Sequence, residues 1–179
     1  MIDRASETVH YFAFGANMAR QVLVHRRGIT PHASRAAVVH GFTLRFGLRG
    51  IPGVEPAFAT LVAMPGASVH GVLHTLSARD LARLDRIESS YDRIDVRAET
   101  SDGTFDATAY VARRLSDERM PSRRYLRLLI EGAREHGVPE AYVAALEARA
   151  SHHLPLVSGV VARVIQLGER AIRSLRRRG

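Results

Sequence analysis

The hydrophobic pattern changes period along the chain. In the first half, apolar residues recur at strand-like intervals over residues 9–14, 36–46, 57–64 and 69–76, in runs rich in Val, Phe, Thr and Leu that suit a pleated, half-buried surface. Gly and Pro punctuate them: GLRGIPGVEP predicts a loop between the second and third runs, and Pro65-Gly66 a turn before the fourth. Residues 93–99 and 104–111 predict a hairpin about Asp102-Gly103, a pair suited to tight turns.

Helical periodicity then dominates. A short helix is predicted over 18–27 with Asn17 as its N-cap, and another begins at the capping-box-like Ser77-Ala-Arg-Asp80. Residues 121–137 and 139–150 predict two more, the first ended by Gly137. Strands first and helices late give an α+β pattern, not the regular alternation of a doubly wound sheet. Beyond these, Val157, Val160, Val161, Val164, Ile165 and Leu167 alternate with Arg163 and precede Arg170, Arg173 and Arg176, which predicts a C-terminal amphipathic helix. Two uses stay open for it: docking on its own domain, or weak contact with an anionic membrane or a protein partner.

Composition narrows the chemistry. With 179 residues and 46% apolar content the chain can bury a real core. No apolar run has the length of a membrane span, and the opening MIDRASETVH does not read as a signal peptide, so a cytoplasmic location is expected. There is no cysteine, which removes disulfides, thiolate nucleophiles and Cys-ligated zinc. All 26 basic residues are arginine, so a P-loop lysine, a Schiff-base lysine and a lysine general base are excluded. The Arg, Ala and Val bias is that expected of a GC-rich bacterial coding sequence. The net charge of +8 would suit nucleic acid, but the excess is gathered in RAIRSLRRRG and is not interleaved with aromatics; no nucleic-acid partner is expected.

One carboxylate falls on an unexpected face. In LARLDRIESSY, Leu81, Leu84, Asp85 and Glu88 occupy i, i+3, i+4 and i+7 of a helix, and at about 100° per residue Glu88 lies close in azimuth to the two leucines. Burying a carboxylate is costly unless it is paired or protonated. Two readings stay open: Glu88 pairs with an arginine such as Arg86 or Arg93 or is exposed by fraying, or it serves as a general acid/base with a raised pKa in an apolar pocket.

The first strand, ending YFAFGANM, runs into a Gly-Ala-Asn turn. Such a turn offers consecutive backbone N–H groups with no bulky side chain in front of them, able to bind a carboxylate or an oxyanion. An ordinary tight connection would read the same way.

Together these segments resemble the γ-glutamylcyclotransferases and related AIG2-like proteins. FGANM is similar to the family's Y-G-S-N-[LM] turn, and AFATLVAMPGASVHGVLHTLS to its A-T-[IL]-x-x-x-P-G-x-x-V-x-G-V stretch. LARLDRIESSYDRIDV resembles its L-x-x-L-D-x-x-E segment with a following Tyr, and PSRRYLRLLIEGAREHGVPEAYVAAL its P-S-x-x-Y and G-[LVI]-P-x-x-Y helices. The match runs over residues 9–150, so residues 1–150 are taken as the family domain and 151–179 as a basic amphipathic helical extension.

The resemblance implies a small mixed-strand β-barrel flanked by helices. It implies cyclisation of a small-molecule γ-glutamyl substrate to 5-oxoproline with release of an amino acid or amine, without metal or cofactor. Glu88 stands at the position of the family's catalytic Glu. The segment Tyr11, Phe12, Ala13, Phe14, Gly15, Ala16 and Asn17 would bind substrate, with the backbone of residues 11–16 holding the γ-glutamyl group. Tyr125 would also touch it. Two hydroxyls of the family pattern are missing, because Phe14 replaces Tyr and Ala16 replaces Ser; this leaves a non-catalytic or repurposed binding module as the alternative.

Other polar residues read as structural. His70 and His74 lie some 13 Å apart along a strand at about 3.3 Å per residue, too far for joint ligation, and suggest a partly exposed strand face. His152 and His153 read as a linker or hinge. Tyr91, Tyr110 and Tyr142 read as core or rim aromatics with satisfied hydroxyls, and Tyr91 is also a candidate lining residue.

Overall fold

A computed structural model describes residues 8–51 and 54–152. The C-terminal amphipathic helix expected beyond His153 lies outside the described residues. Five strands, β1 (Thr8–Ala13), β2 (Ala33–Ile51), β3 (Glu55–Ser77), β4 (Tyr91–Thr100) and β5 (Gly103–Ala112), close into a barrel in the order β1-β3-β2-β4-β5. Neighbouring strands are antiparallel, except where Tyr11 of β1 meets Thr108 of β5 in parallel and closes the ring. Helices α1 (Ala78–Ile87), α2 (Arg123–Glu135) and α3 (Glu140–Glu147) lie outside the ring. This is the mixed barrel with flanking helices that the resemblance implies.

Two strands are longer than the pattern predicts. Pro65 and Gly66 do not separate two strands; β3 runs through them, and the pairing shifts from Phe42↔Ala63 to His40↔Ser68. Gly41 and Gly66, both at φ 81°, supply the backbone for this bulge. Pro65 is exposed there, and a bulge is where a missing N–H is tolerated in a strand. The expected ten-residue loop is likewise mostly strand, with β2 reaching Ile51 and β3 starting at Glu55. The hairpin at Asp102-Gly103 forms as predicted, with Gly103 at φ 127°.

The core takes Phe12, Phe46, Leu73, Leu76 and Val39, all at most 2% exposed, with Leu73 and Leu76 on opposite faces of β3. Each such side chain contributes about 1.5–3 kcal/mol by leaving water. Leu84 and Leu129 bring α1 and α2 onto this core. Ser77 caps α1 by accepting the Asp80 N–H at 3.1 Å, and Ser122 caps α2 by accepting the Tyr125 N–H at 3.0 Å. The start of α2 is fixed further by buried Glu55, which accepts the Ser122 N–H at 3.0 Å. His152 is tied there too: its N–H donates to Pro121 O and its carbonyl accepts from Arg123, so it is a strand-like bridge and not a free linker. Among the described residues no helix is long and apolar enough to cross a membrane.

Candidate functional site

The segment after β1 is not the helix its sequence suggests. A 3-10 turn over Ala16–Met18 is closed by Met18 N–H to Gly15 O at 3.0 Å and Ala19 N–H to Ala16 O at 3.1 Å. A π-helix, Gln21–Arg26, follows, with Arg27 N–H reaching Val22 O at 3.0 Å. The sequence there carries Val22, Val24 and His25 and no acid in the first turn, which gives an α-helix little intrinsic support. Asn17 is therefore not an N-cap. Its side chain is spent elsewhere: Nδ2 donates to the Tyr11 hydroxyl at 2.9 Å and to Glu88 Oε1 at 3.0 Å.

Glu88 arrives from the other side. It closes α1 as the C-cap, its N–H bonded to Leu84 O at 2.7 Å and its carbonyl accepting from Tyr91 N–H at 2.9 Å. The stripe placed it correctly, since Leu81 and Leu84 are buried and the Glu88 side chain is 11% exposed. Its cationic partner is neither Arg86 nor Arg93. Arg27 Nη2 stands 3.1 Å from the same Oε1 that Asn17 holds. The surroundings of Glu88 are thus not purely apolar, because a guanidinium and an amide meet one of its oxygens. Arg93 is committed to Asp85, which also accepts the Tyr110 hydroxyl at 2.8 Å. Burial alone would raise the Asp85 carboxyl, but those hydrogen bonds and the positive charges of Arg93 and Arg86 outweigh it and hold it below the usual range.

Three tyrosine hydroxyls surround this carboxylate. Tyr11, Tyr91 and Tyr125 are all pushed above the ordinary phenol range, first by burial; the charge of Glu88 adds to the shift in each. These phenols stay protonated near neutrality. The Ala59 backbone in β3 serves two of them: its N–H donates to Tyr125 Oη at 3.2 Å and its carbonyl accepts from Tyr91 at 3.3 Å. Gly15 is a close-approach position, because a Cβ there would stand 3.1 Å from Tyr125 Oη.

The structure brings Tyr11, Asn17, Glu88 and Tyr125 together and adds Tyr91, Arg27 and Ala59. The side chains of Phe12 and Phe14 lie in the core, 0% and 6% exposed with ring centroids 6.3 Å apart, and Ala13 is 1% exposed. Any role for these three in a site on this side belongs to their backbone. Sequence reasoning misses Arg27, one of two adjacent arginines in an arginine-rich chain, with no motif to mark it.

His74 also departs from expectation. It is 2% exposed, with Nδ1 2.8 Å from Ser34 Oγ and Nε2 3.3 Å from Asn17 O, directly behind the turn. Burial pushes it down to about 3, helped by the charge of His136 and opposed by the bond to Asn17. His136 Nε2 lies 3.1 Å from Met18 O, so two imidazoles hold successive carbonyls of the turn. Tyr142 is half-buried, and among the described residues its buried hydroxyl has no partner, unlike those of Tyr91 and Tyr110. A surface depression of about 380 Å³ between β2 and β4 contains none of these groups. Among the described residues no group of three or more His, Asp or Glu side chains is arranged to hold a metal.

Comparison with known proteins converges on one family. The model of the AIG2-like family matches residues 68–146. The γ-glutamyl cyclotransferase gliK of Claviceps purpurea is 29% identical over 139 residues, covering 70% of this chain and 63% of that protein. The γ-glutamylcyclotransferase of Mus musculus is 26% identical over 171 residues, covering 91% of this chain and 90% of its own. A solved γ-glutamyl cyclotransferase structure superposes with a TM-score of 0.74 at 26% identity, covering 89% of this chain and 99% of that one. The chain spans 60–64% of the length of the fungal relatives from Claviceps purpurea, Aspergillus oryzae and Aspergillus fumigatus. Four sequence motifs in order, the barrel and these relatives agree, and the chain is similar to the γ-glutamylcyclotransferases and AIG2-like proteins.

Proposed function

We propose that the protein is an intramolecular aminoacyl transferase that cyclises a γ-glutamyl group to 5-oxoproline and releases an amino acid or amine. Glu88 takes a proton from the substrate's α-ammonium group. The freed amine attacks the γ-carbonyl carbon, and the C–N bond to the leaving group breaks as Glu88 returns the proton to the leaving nitrogen. The backbone of residues 11–16 holds the γ-glutamyl group. The first amides of the turn, which lack partners within a helix, face the developing oxyanion, and Tyr125 contacts the substrate.

The observation that carries this reading is a carboxylate 11% exposed, capping α1, within hydrogen-bond reach of the turn that ends β1. The test is incubation with γ-glutamyl amino acids, γ-glutamyl amines and glutathione, following 5-oxoproline by mass spectrometry beside Glu88→Gln. Product from the wild type alone is expected; an active, folded Glu88→Gln protein would falsify the role of Glu88. Phe14 and Ala16 favour a second reading, a module that binds γ-glutamyl compounds without turnover. In that case the wild type binds γ-glutamyl compounds, read by calorimetry, while no 5-oxoproline forms from any of them.

A further inference from the structure

Arg27 and Asn17 come from the connection between β1 and β2 and Glu88 from the end of α1, yet both converge on a single carboxylate oxygen, Arg27 Nη2 as an ion pair at 3.1 Å and Asn17 Nδ2 as a hydrogen bond at 3.0 Å from Oε1. Among the described residues Oε2 accepts no hydrogen bond. We propose that Arg27 is a positioning residue: with Asn17 it clamps Oε1 of Glu88 and so dedicates Oε2 to the proton transfers at the substrate nitrogens. The inference rests on the reading of Glu88 as the acid/base.

The chemistry asks for such a clamp. One carboxylate must collect a proton from the α-nitrogen and deliver it to the leaving nitrogen, two atoms on opposite sides of the carbon under attack. A carboxylate free to rotate would exchange its oxygens between the two events and lose the alignment that general acid/base transfer needs. An amide hydrogen bond and a guanidinium charge on Oε1 together fix both the torsion and the identity of the working oxygen.

The clamp is also costly in a way that stability alone does not explain. Among the described residues Arg27 Nε and Asn17 Oδ1 are buried without partners, and each such orphan gives up hydration that no hydrogen bond replaces. The two orphans belong to the same two side chains that grip Oε1. The connection delivering them includes a π-helical segment, a rare geometry that concentrates at functional sites.

The test is steady-state kinetics of wild type, Arg27→Ala, Arg27→Lys and Glu88→Gln on whichever γ-glutamyl donor the wild type turns over. Arg27→Ala is expected to lose about 10- to 100-fold in kcat with KM within about threefold, because alignment and not substrate binding is removed. Non-denaturing guanidinium restores part of the Arg27→Ala rate, and Arg27→Lys retains more rate than Arg27→Ala. Thermal melts and rescue separate this from misfolding, since added guanidinium does not refold a collapsed protein. Full kcat in Arg27→Ala, or a loss confined to KM, overturns the inference while an inactive Glu88→Gln leaves the acid/base reading standing. An active Glu88→Gln, or a wild type that turns over no donor, overturns both.

Discussion

Asn17 Nδ2 lies 3.0 Å from Glu88 Oε1, joining residues 71 apart in sequence, and 2.9 Å from the Tyr11 hydroxyl. One buried amide thereby couples the first strand to the end of α1. Asn17→Ala removes both bonds and leaves Tyr11 and Glu88 each short of a partner. A stability loss of about 1–3 kcal/mol and a turnover loss of about 10- to 100-fold are expected. Asn17→Asp keeps the shape but places a second carboxylate beside Glu88, so it should be less active than the alanine variant at neutral pH. Denaturant melts and 5-oxoproline release measure both; an aspartate variant more active than the alanine one would contradict the electrostatic account.

Gly15→Ala tests the approach of the turn to Tyr125. Backbone strain is not at issue, since Gly15 lies in the extended region at φ −116°. The added methyl meets Tyr125 Oη at 3.1 Å, tighter than normal carbon–oxygen contact, and must displace either the hydroxyl or the turn. Turnover should fall more than stability does. In Gly15→Ala combined with Tyr125→Phe, the obstruction is gone and the two losses should be less than additive. Strict additivity in a double-mutant cycle would show that the two groups do not interact.

Much of the architecture is legible in the sequence because local and tertiary signals agree there. The capping of α1 by Ser77, the hairpin at Gly103 and the inward turn of Glu88 follow from spacing alone. What spacing does not give is long-range pairing. Asn17 fits a cap by type, but Tyr11 and Glu88 compete for its side chain and prevail because both are buried beside it. Pro65 breaks a strand in isolation, yet the barrel carries β3 across it by bulging where the chain is exposed. Arg27 and His74 have no local signature; their importance comes from what the closed barrel and the turn bring against them.

Gly132→Ala sets helix propensity against packing. Alanine would favour an exposed helix by about 1 kcal/mol over glycine. At Gly132, however, α2 lies on the turn, and a Cβ would meet Met18 C at 2.6 Å and the Ala19 backbone nitrogen. Backbone cannot rotate aside as a flexible side chain does, so overpacking of about 1–3 kcal/mol should exceed the propensity gain. The variant is expected to be less stable than wild type and to displace the residue 16–19 segment, read from its melting temperature and from amide shifts of Asn17 and Met18. A melting temperature above wild type would mean that α2 sits further from the turn.

His74 predicts an acid sensitivity of known sign. In the folded protein burial pushes its imidazole down to about 3, while the unfolded chain takes up a proton near the ordinary value of 6.5. Between those values the unfolded state holds the extra proton, so stability complete above about pH 6.5 is lost as pH falls toward 3, at up to about 1.4 kcal/mol per pH unit for one proton. His136, lowered first by burial, adds in the same direction. Glu55, raised first by burial, opposes it, because the folded state then holds the proton more firmly. Asp85, held below 3.8, acts only at the acid end of the range. The informative quantity is therefore a difference between proteins: from pH 6.5 to 4.5, wild type should lose about 2 kcal/mol more than His74→Gln, whose amide does not titrate. Equal losses in urea melts at the two pH values would mean that His74 is protonated within the folded barrel, and that the bond from Nε2 to the Asn17 carbonyl survives the charge.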